Sequence, residues 1–223
     1  FVEGIVWGLA AFPIVFVWFT VLTTVSAPRW LRLTSISLMV LPSYILFALA
    51  LMLWSALALR LVRWRTPPNA SMPIRDLAWD LLTWARYLAA THLVRVVAGT
   101  LFRATPVWSF YIRLNGGRVS RRVYVNSLAV IDHNLLEFGE GTVIGADVHL
   151  SGHTVEHGVV LTGHVRLGRN VTLGTGAIVA IDVEIGDDAQ VGALSFVPKH
   201  SRLATGGIYY GIPVHRVSDV PRR

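Results

Sequence analysis

From Leu161 onward the chain repeats every six residues. Aliphatic side chains fall at Leu161, Leu167, Leu173, Val179, Ile185, Val191, Val197 and Leu203. Small or β-branched ones follow four places later, at Val165, Val171, Ala177, Val183, Ala189, Ser195, Ser201 and Gly207. Glycine often succeeds the aliphatic position, as in Leu167-Gly168, Leu173-Gly174, Ile185-Gly186 and Val191-Gly192. Val155 extends the series backwards, and Phe138, Ile144 and Leu150 carry the same period one residue out of phase. A period of six is neither helical nor a simple alternation. It describes short strands, each ended by a tight turn, stacked so that like residues pile into one core. The C-terminal half is therefore expected to form a parallel β-helix.

The N-terminal half obeys a different rule. The whole chain is 53% hydrophobic and only 15% charged, against about 25% charged in a typical soluble chain. No charged residue occurs from Gly4 to Pro28, and none from Leu33 to Leu59. Each stretch exceeds the roughly 20 apolar residues that cross a bilayer core, so two membrane helices are expected. Pro13 and Pro42 lie inside them, and Trp30 and Trp64 stand near their ends, where amphipathic rings favour the interface. Arg60, Arg63, Arg65, Arg75, Arg86, Arg95 and Arg103 all follow the second span. By the positive-inside rule the C-terminal side, β-helix included, faces the cytoplasm, most simply across a bacterial inner membrane. The first residue is Phe1, and Glu3 precedes the apolar run where a signal peptide would carry Lys or Arg, so a piece of a longer chain is expected.

The net charge of +7 does not indicate nucleic acid. Residues 1–104 hold 9 Lys or Arg against 3 Asp or Glu, while residues 105–223 hold 11 against 10, so the basicity belongs to the apolar half. Pro67-Pro68-Asn69 breaks the chain after the second span, Ser71 offers a cap, and Pro73 suits a first helical turn. Ile74, Leu77, Leu81, Trp84 and Leu88 then recur at spacings of three and four, opposite Asp76, Asp80, Thr83 and Tyr87. This predicts an amphipathic helix that lies in the headgroup layer or packs on the C-terminal domain or on another copy. The divisions are a helical hairpin over 1–65, an amphipathic helix and linker over 66–106, and the repeat domain over 107–223.

The chain has no cysteine, which excludes thiolate nucleophiles, thiolate metal sites and disulfides. Seven of its 8 histidines lie in the repeat half. His153 differs by context, because it falls where the repeat loses one residue between Leu150 and Val155. An imidazole there can accept a proton from an attacking amine or hydroxyl, and a carboxylate can fix its tautomer. Glu156 is the nearest carboxylate in sequence. His149, His153 and His157 are four apart, a spacing that converges only on a helix, so no metal site is expected in this strand-and-turn segment. No glycine-rich phosphate loop and no Gly-x-Ser-x-Gly elbow is present. Arg113, Arg118, Arg121 and Arg122 form a basic run at the domain entrance, either an interaction patch or a solvated edge.

These features carry a resemblance. The hexapeptide array and the closing Gly211-Ile212-Pro213-Val214 resemble the left-handed β-helix of hexapeptide acyltransferases. More of the chain is similar to the C-terminal region of poly-ε-lysine synthetase-type nonribosomal peptide synthetases. Membrane helices and an amphipathic segment are followed by Tyr111-Ile112-Arg113-Leu114-Asn115-Gly116-Gly117-Arg118-Val119, then Asp132, then Leu150-Ser151-Gly152-His153-Thr154-Val155-Glu156-His157. That family's motif tends to end His-x-x-Glu-Asp, and this chain has His157 in the last place.

The resemblance implies a membrane-tethered condensation unit that moves an acyl or aminoacyl group from a pantetheine thioester to an amine. His153 and Glu156 would be catalytic, and Asp132 and His157 would hold the acceptor. Ala177, Ser195, Lys199, Gly211 and Pro213 would bind the donor thioester, which arrives on a carrier protein or as acyl-CoA, with no metal. Implied partners are carrier and adenylation domains of the same longer chain, sister β-helix domains or homo-oligomer mates, and the lipid bilayer. The alternatives are an acyl-CoA-dependent transferase acting on a sugar or lipid, and an inactive β-helix scaffold.

Overall fold

The computed structural model describes residues 1–24 and 26–217. Two long helices come first, α1 (Val2–Thr24) and α2 (Arg29–Leu61). At about 1.5 Å per residue α2 runs to roughly 50 Å, well beyond a hydrocarbon core of about 30 Å. Both helices are long and apolar enough to cross a membrane. They pack as a pair, with the Trp7 and Phe47 rings 5.7 Å apart and Trp18 Nε1 donating to Ser43 Oγ at 3.0 Å. Phe12, Phe16, Phe19, Leu38 and Leu41 are exposed. The second half of α2 is amphipathic in packing: Ala48, Leu51, Met52, Ser55, Ala56 and Leu59 are buried, while Leu53, Leu57 and Leu61 face outward.

The segment after α2 departs from the sequence expectation. Ser71–Pro73 is a strand that pairs antiparallel with Val159–Leu161, so Ser71 does not cap a helix. Ile74–Asp76 makes one 3₁₀ turn, Leu77 is left-handed, and α3 begins only at Trp79 and runs to Val94. Strand pairing wins here because Pro73 holds an extended ψ of 127° and the Ile74 N–H reaches Gly158 O at 2.9 Å. The buried face of α3 is Leu81, Tyr87, Ala90, Thr91 and Val94. Tyr87, placed on the polar side by the periodicity, is thus in the core, whereas Ile74 and Leu77 are exposed and outside the helix. This helix packs on α2 and on the repeat domain, with Trp84 against the His153 ring. A π-helical turn (Arg95–Gly99), a short α4 (Thr100–Phe102) and α5 (Pro106–Leu114) lead to the coils. Trp108 of α5 donates Nε1 to Ser127 O at 3.1 Å and, fully buried, closes the first coil.

The repeats form a parallel β-helix with three faces. One face stacks Arg118–Val119, Leu136–Phe138, Val165–Leu167, Val183–Ile185 and Arg202–Leu203. A second stacks Tyr124–Val125, Val143–Ile144, Thr172–Leu173, Gln190–Val191 and Ile208–Tyr210. The third stacks His149–Leu150, Ile178–Val179 and Phe196–Val197. From Val165 onward each full turn takes 18 residues, as in the Arg166–Glu184 pair. Left-handed residues mark the corners six apart, at Asn170, Gly176, Asp182, Asp188, Leu194, His200 and Gly206. The glycine after each aliphatic residue reflects close backbone approach: a Cβ on Gly168 would lie 2.7 Å from Asp187 N, and one on Gly174 2.4 Å from Ala193 N.

The period breaks at 151–164, where the chain leaves the coils as a hairpin, His153–Glu156 against Val159–Thr162. Val155 and Leu161 belong to this hairpin rather than to the stack, and Val155 is exposed. The insertion also explains the one-residue phase shift of Phe138, Ile144 and Leu150. Ser71–Pro73 adds a third strand to the hairpin, so the linker from α2 is woven into the arm that carries His153.

Candidate active site

Asp132 is 1% exposed and left-handed, with φ 57°. Both carboxylate oxygens are used. Oδ1 accepts from Thr66 Oγ1 at 2.6 Å, and Oδ2 lies 2.5 Å from His153 Nδ1. Ser151 Oγ is 3.1 Å from the same nitrogen and accepts from the His153 N–H at 3.1 Å. Gly152 must be glycine, since a Cβ there would sit 2.8 Å from Leu135 Cδ1 and 2.9 Å from Asp132 Cβ. Trp84 of α3 meets the His153 ring edge-on at 5.0 Å. A carboxylate at Nδ1 keeps the proton on that nitrogen, which leaves the Nε2 lone pair as the basic position.

Glu156 does not serve as the orienter expected from sequence. Its carboxylate pairs with Lys199 Nζ at 2.7 and 2.8 Å, and this cation holds it below the usual carboxylate range. The physical reason is strand parity: His153 and Glu156 lie three residues apart in one extended strand and project to opposite sides. Asp132 takes the place at the imidazole, and Lys199 is engaged across the groove rather than free for a phosphate. His157 and Gly158, with φ 49° and 76°, form the hairpin turn, so His157 is held by backbone need at an exposed tip.

A groove of about 390 Å³ runs between hairpin and coil face, lined by His149, His153, Glu156, Ile178, Phe196 and Lys199. Desolvation in the groove, and then the neighbouring His153, lower the His149 pKa. Four of the five donor positions carried by resemblance do not line it. The Ala177 methyl is fully buried in the coil and its N–H bonds Gly174 O at 3.1 Å, so this residue offers no free group to a donor. Ser195 Oγ accepts from Gly211 N at 3.1 Å, and Phe196 N donates to Gly211 O at 2.9 Å. These bonds fasten the closing segment, with Pro213 exposed on it. Tyr209 is also structural, its hydroxyl accepting from Ala204 N at 2.8 Å.

A second cavity of about 390 Å³ lies on the other side of His153, between it and α3, and includes Leu88, Thr91, His92, Arg95 and Ile131. The basic run is largely neutralised. Arg118 pairs with Glu137 and Arg122 with Glu140, while Arg113 Nε donates to Val119 O. His133, next to Asp132, is buried against Trp108 and Tyr111. Burial pushes its pKa down to about 4, so it stays neutral. Sequence reasoning missed Thr66, Trp84 and Arg95 as site residues; no local pattern links Thr66 to Asp132, 66 residues away.

Three relatives illustrate what the chain is similar to. It is 25% identical over 139 residues to a delta-poly-L-ornithine synthetase of Acinetobacter baumannii (strain AB307-0294), covering 62% of this chain and 10% of that protein. It is 27% identical over 113 residues to the galactoside O-acetyltransferase of Escherichia coli (strain K12), covering 47% and 55%. It is 35% identical over 105 residues to a serine acetyltransferase of Helicobacter pylori (strain ATCC 700392 / 26695), covering 43% and 54%. The chain thus spans about half of the two acetyltransferases and a tenth of the synthetase. No protein-family model matches it.

Proposed function

We propose that this chain, whose β-helix is of the hexapeptide-repeat acyltransferase superfamily, is a membrane-tethered unit that transfers an acyl or aminoacyl group from a pantetheine thioester to an amine. The observation that carries this reading is the buried Asp132 fixing Nδ1 of a part-exposed His153 that borders a cavity on either side. The coil is read as left-handed, and α1 with α2 as the membrane anchor, with the β-helix on the cytoplasmic side.

The groove suits the pantetheine arm of a thioester donor: Ile178 and Phe196 of the coil line it together with Lys199. His153 Nε2 removes the proton as the acceptor nitrogen bonds to the thioester carbonyl carbon. The C–S bond then breaks, and the same imidazole returns the proton to the leaving sulfur. Asp132 stabilises the imidazolium formed between these steps, as a carboxylate does in hydrolytic triads. Holding both reactants against His153 supplies much of the rate.

The similarity to a poly-L-ornithine synthetase supports amide-bond formation between amino acids. The two acetyltransferases support transfer of a small acyl group, as the second reading, with free acyl-CoA as donor, requires. Intact-mass analysis of the full-length protein distinguishes them after incubation with ATP, CoA, a phosphopantetheinyl transferase and amino acids. A loaded carrier and chain products that need His153 support the first reading. Acylation from free acyl-CoA alone supports the second, and a loaded carrier with products unaffected by His153→Ala contradicts both roles for this domain.

A further inference from the structure

Arg95 is half-buried and lines the same cavity as His153, without a carboxylate partner among the described residues. Its Nη2 lies 2.6 Å from His92 Nδ1, and its Nη1 reaches Leu128 O at 3.4 Å. Neither contact neutralises the guanidinium. Burial alone already lowers its pKa, though the group stays charged. A partly desolvated cation left without a counter-charge is costly unless something supplies one. On the face that stacks Arg118, Glu137, Arg166, Glu184 and Arg202, by contrast, each arginine is in an ion pair.

The backbone at Arg95 is also unusual. It opens the π-helical turn that interrupts the run from α3 to α4, and such single turns recur at functional sites. Tyr44 of α2 donates its hydroxyl to Val97 O within that turn, so the turn is pinned. The cavity that Arg95 lines is also lined by Leu88, Ile131 and His153. The cavity therefore brings a cationic fork and the imidazole base of His153 to one space.

We propose that this cavity is the acceptor subsite and that Arg95 binds a carboxylate of the acceptor, which makes the acceptor an amino acid or a carboxylate-bearing peptide rather than a simple amine or sugar. This rests on the acyl-transfer reading and adds the substrate class to it. Arg95 forms two parallel charge-assisted bonds to the carboxylate, and the acceptor amine then faces His153 Nε2. His92, bonded to Nη2, acts as a positioning residue for the fork.

Binding measured without any donor keeps this test separate from turnover. The full-length protein in phosphatidylcholine nanodiscs is titrated with L-lysine, L-ornithine and L-serine, and with their decarboxylated counterparts cadaverine, putrescine and ethanolamine. At least one amino acid is expected to bind tenfold or more tightly than its amine. Arg95→Gln is expected to weaken that binding on the order of tenfold to a hundredfold, and Arg95→Lys to restore part of it. Arg86→Gln, which removes a guanidinium stacked on Trp64 and Trp79, is expected to change nothing, and matched unfolding midpoints establish that the variants fold. Equal binding of acid and amine, no binding by any of the three amino acids, or indifference to Arg95→Gln overturns the proposal. So does an Arg95 effect seen only as binding of phosphatidylglycerol. Loss of turnover in His153→Ala together with any of these results leaves the acyl-transfer reading standing and removes only the subsite.

Discussion

His153 Nδ1 lies 2.5 Å from Asp132 Oδ2, across 21 residues of sequence and a change from coil to hairpin. Asp132→Asn keeps the shape of the side chain but removes the charge that fixes the tautomer. Turnover is expected to fall about a hundredfold or more, with acceptor and donor KM little changed. A steady-state comparison of kcat and KM checks it.

Thr66, in the segment leaving α2, donates to the other oxygen of Asp132 at 2.6 Å. Thr66→Val leaves that buried oxygen unpaired, which costs about 1–3 kcal/mol. Thr66→Ser keeps the hydroxyl. The valine variant is expected to lose both unfolding free energy and activity, and serine to rescue activity; equal loss in both variants would mean that Thr66 acts by packing alone.

Gly152 stands between Ser151 and His153 with no room for a methyl group. Gly152→Ala is expected to displace Asp132 or Leu135, lowering kcat on the order of tenfold or more, since small misplacements of catalytic groups are costly. Gly158→Ala, where the site is open but φ is 76°, is expected to cost stability at the hairpin and leave kcat nearly intact.

His133 makes the fold sensitive to acid. Its folded pKa, near 4 through burial, lies below the unfolded value of about 6.5, so as pH falls the unfolded chain gains the proton first. Stability from this group is complete above about pH 6.5 and declines as pH falls toward 4, by on the order of 3 kcal/mol in total. Unfolding midpoints followed from pH 7 to 4 should flatten over this window in His133→Gln.

The Glu156–Lys199 pair ties the hairpin to the coil across the groove at 2.7 Å. Exposed pairs contribute little to stability, so Lys199→Ala is expected to leave the unfolding midpoint within a degree or two. Donor KM is expected to rise, because the groove loses one of its lining side chains. The swap of both charges is expected to recover part of the KM.

Much of the coil architecture is legible in the sequence, because six-residue spacing constrains every corner and every core position at once. Leu167, Ile185 and Leu203 stack as that spacing demands. The site was less legible because it is built where the period fails. Asp132 and His153 meet only because 151–164 leaves the coil, and Thr66 arrives from a different part of the chain. Glu156 was nearer in sequence, but strand alternation points it at Lys199 instead. Ser71–Pro73 carries the marks of a helix start, yet pairing with Val159–Leu161 outweighs local preference.

The most direct test of the account is thiol release from an acyl-pantetheine donor in the presence of an amine acceptor, measured for the full-length protein and for His153→Ala. The described chain has no cysteine, so this segment adds no thiol background. Acceptor-dependent thiol release that falls by a thousandfold or more in a folded His153→Ala protein is the predicted result. Release at an unchanged rate in that variant would contradict the account.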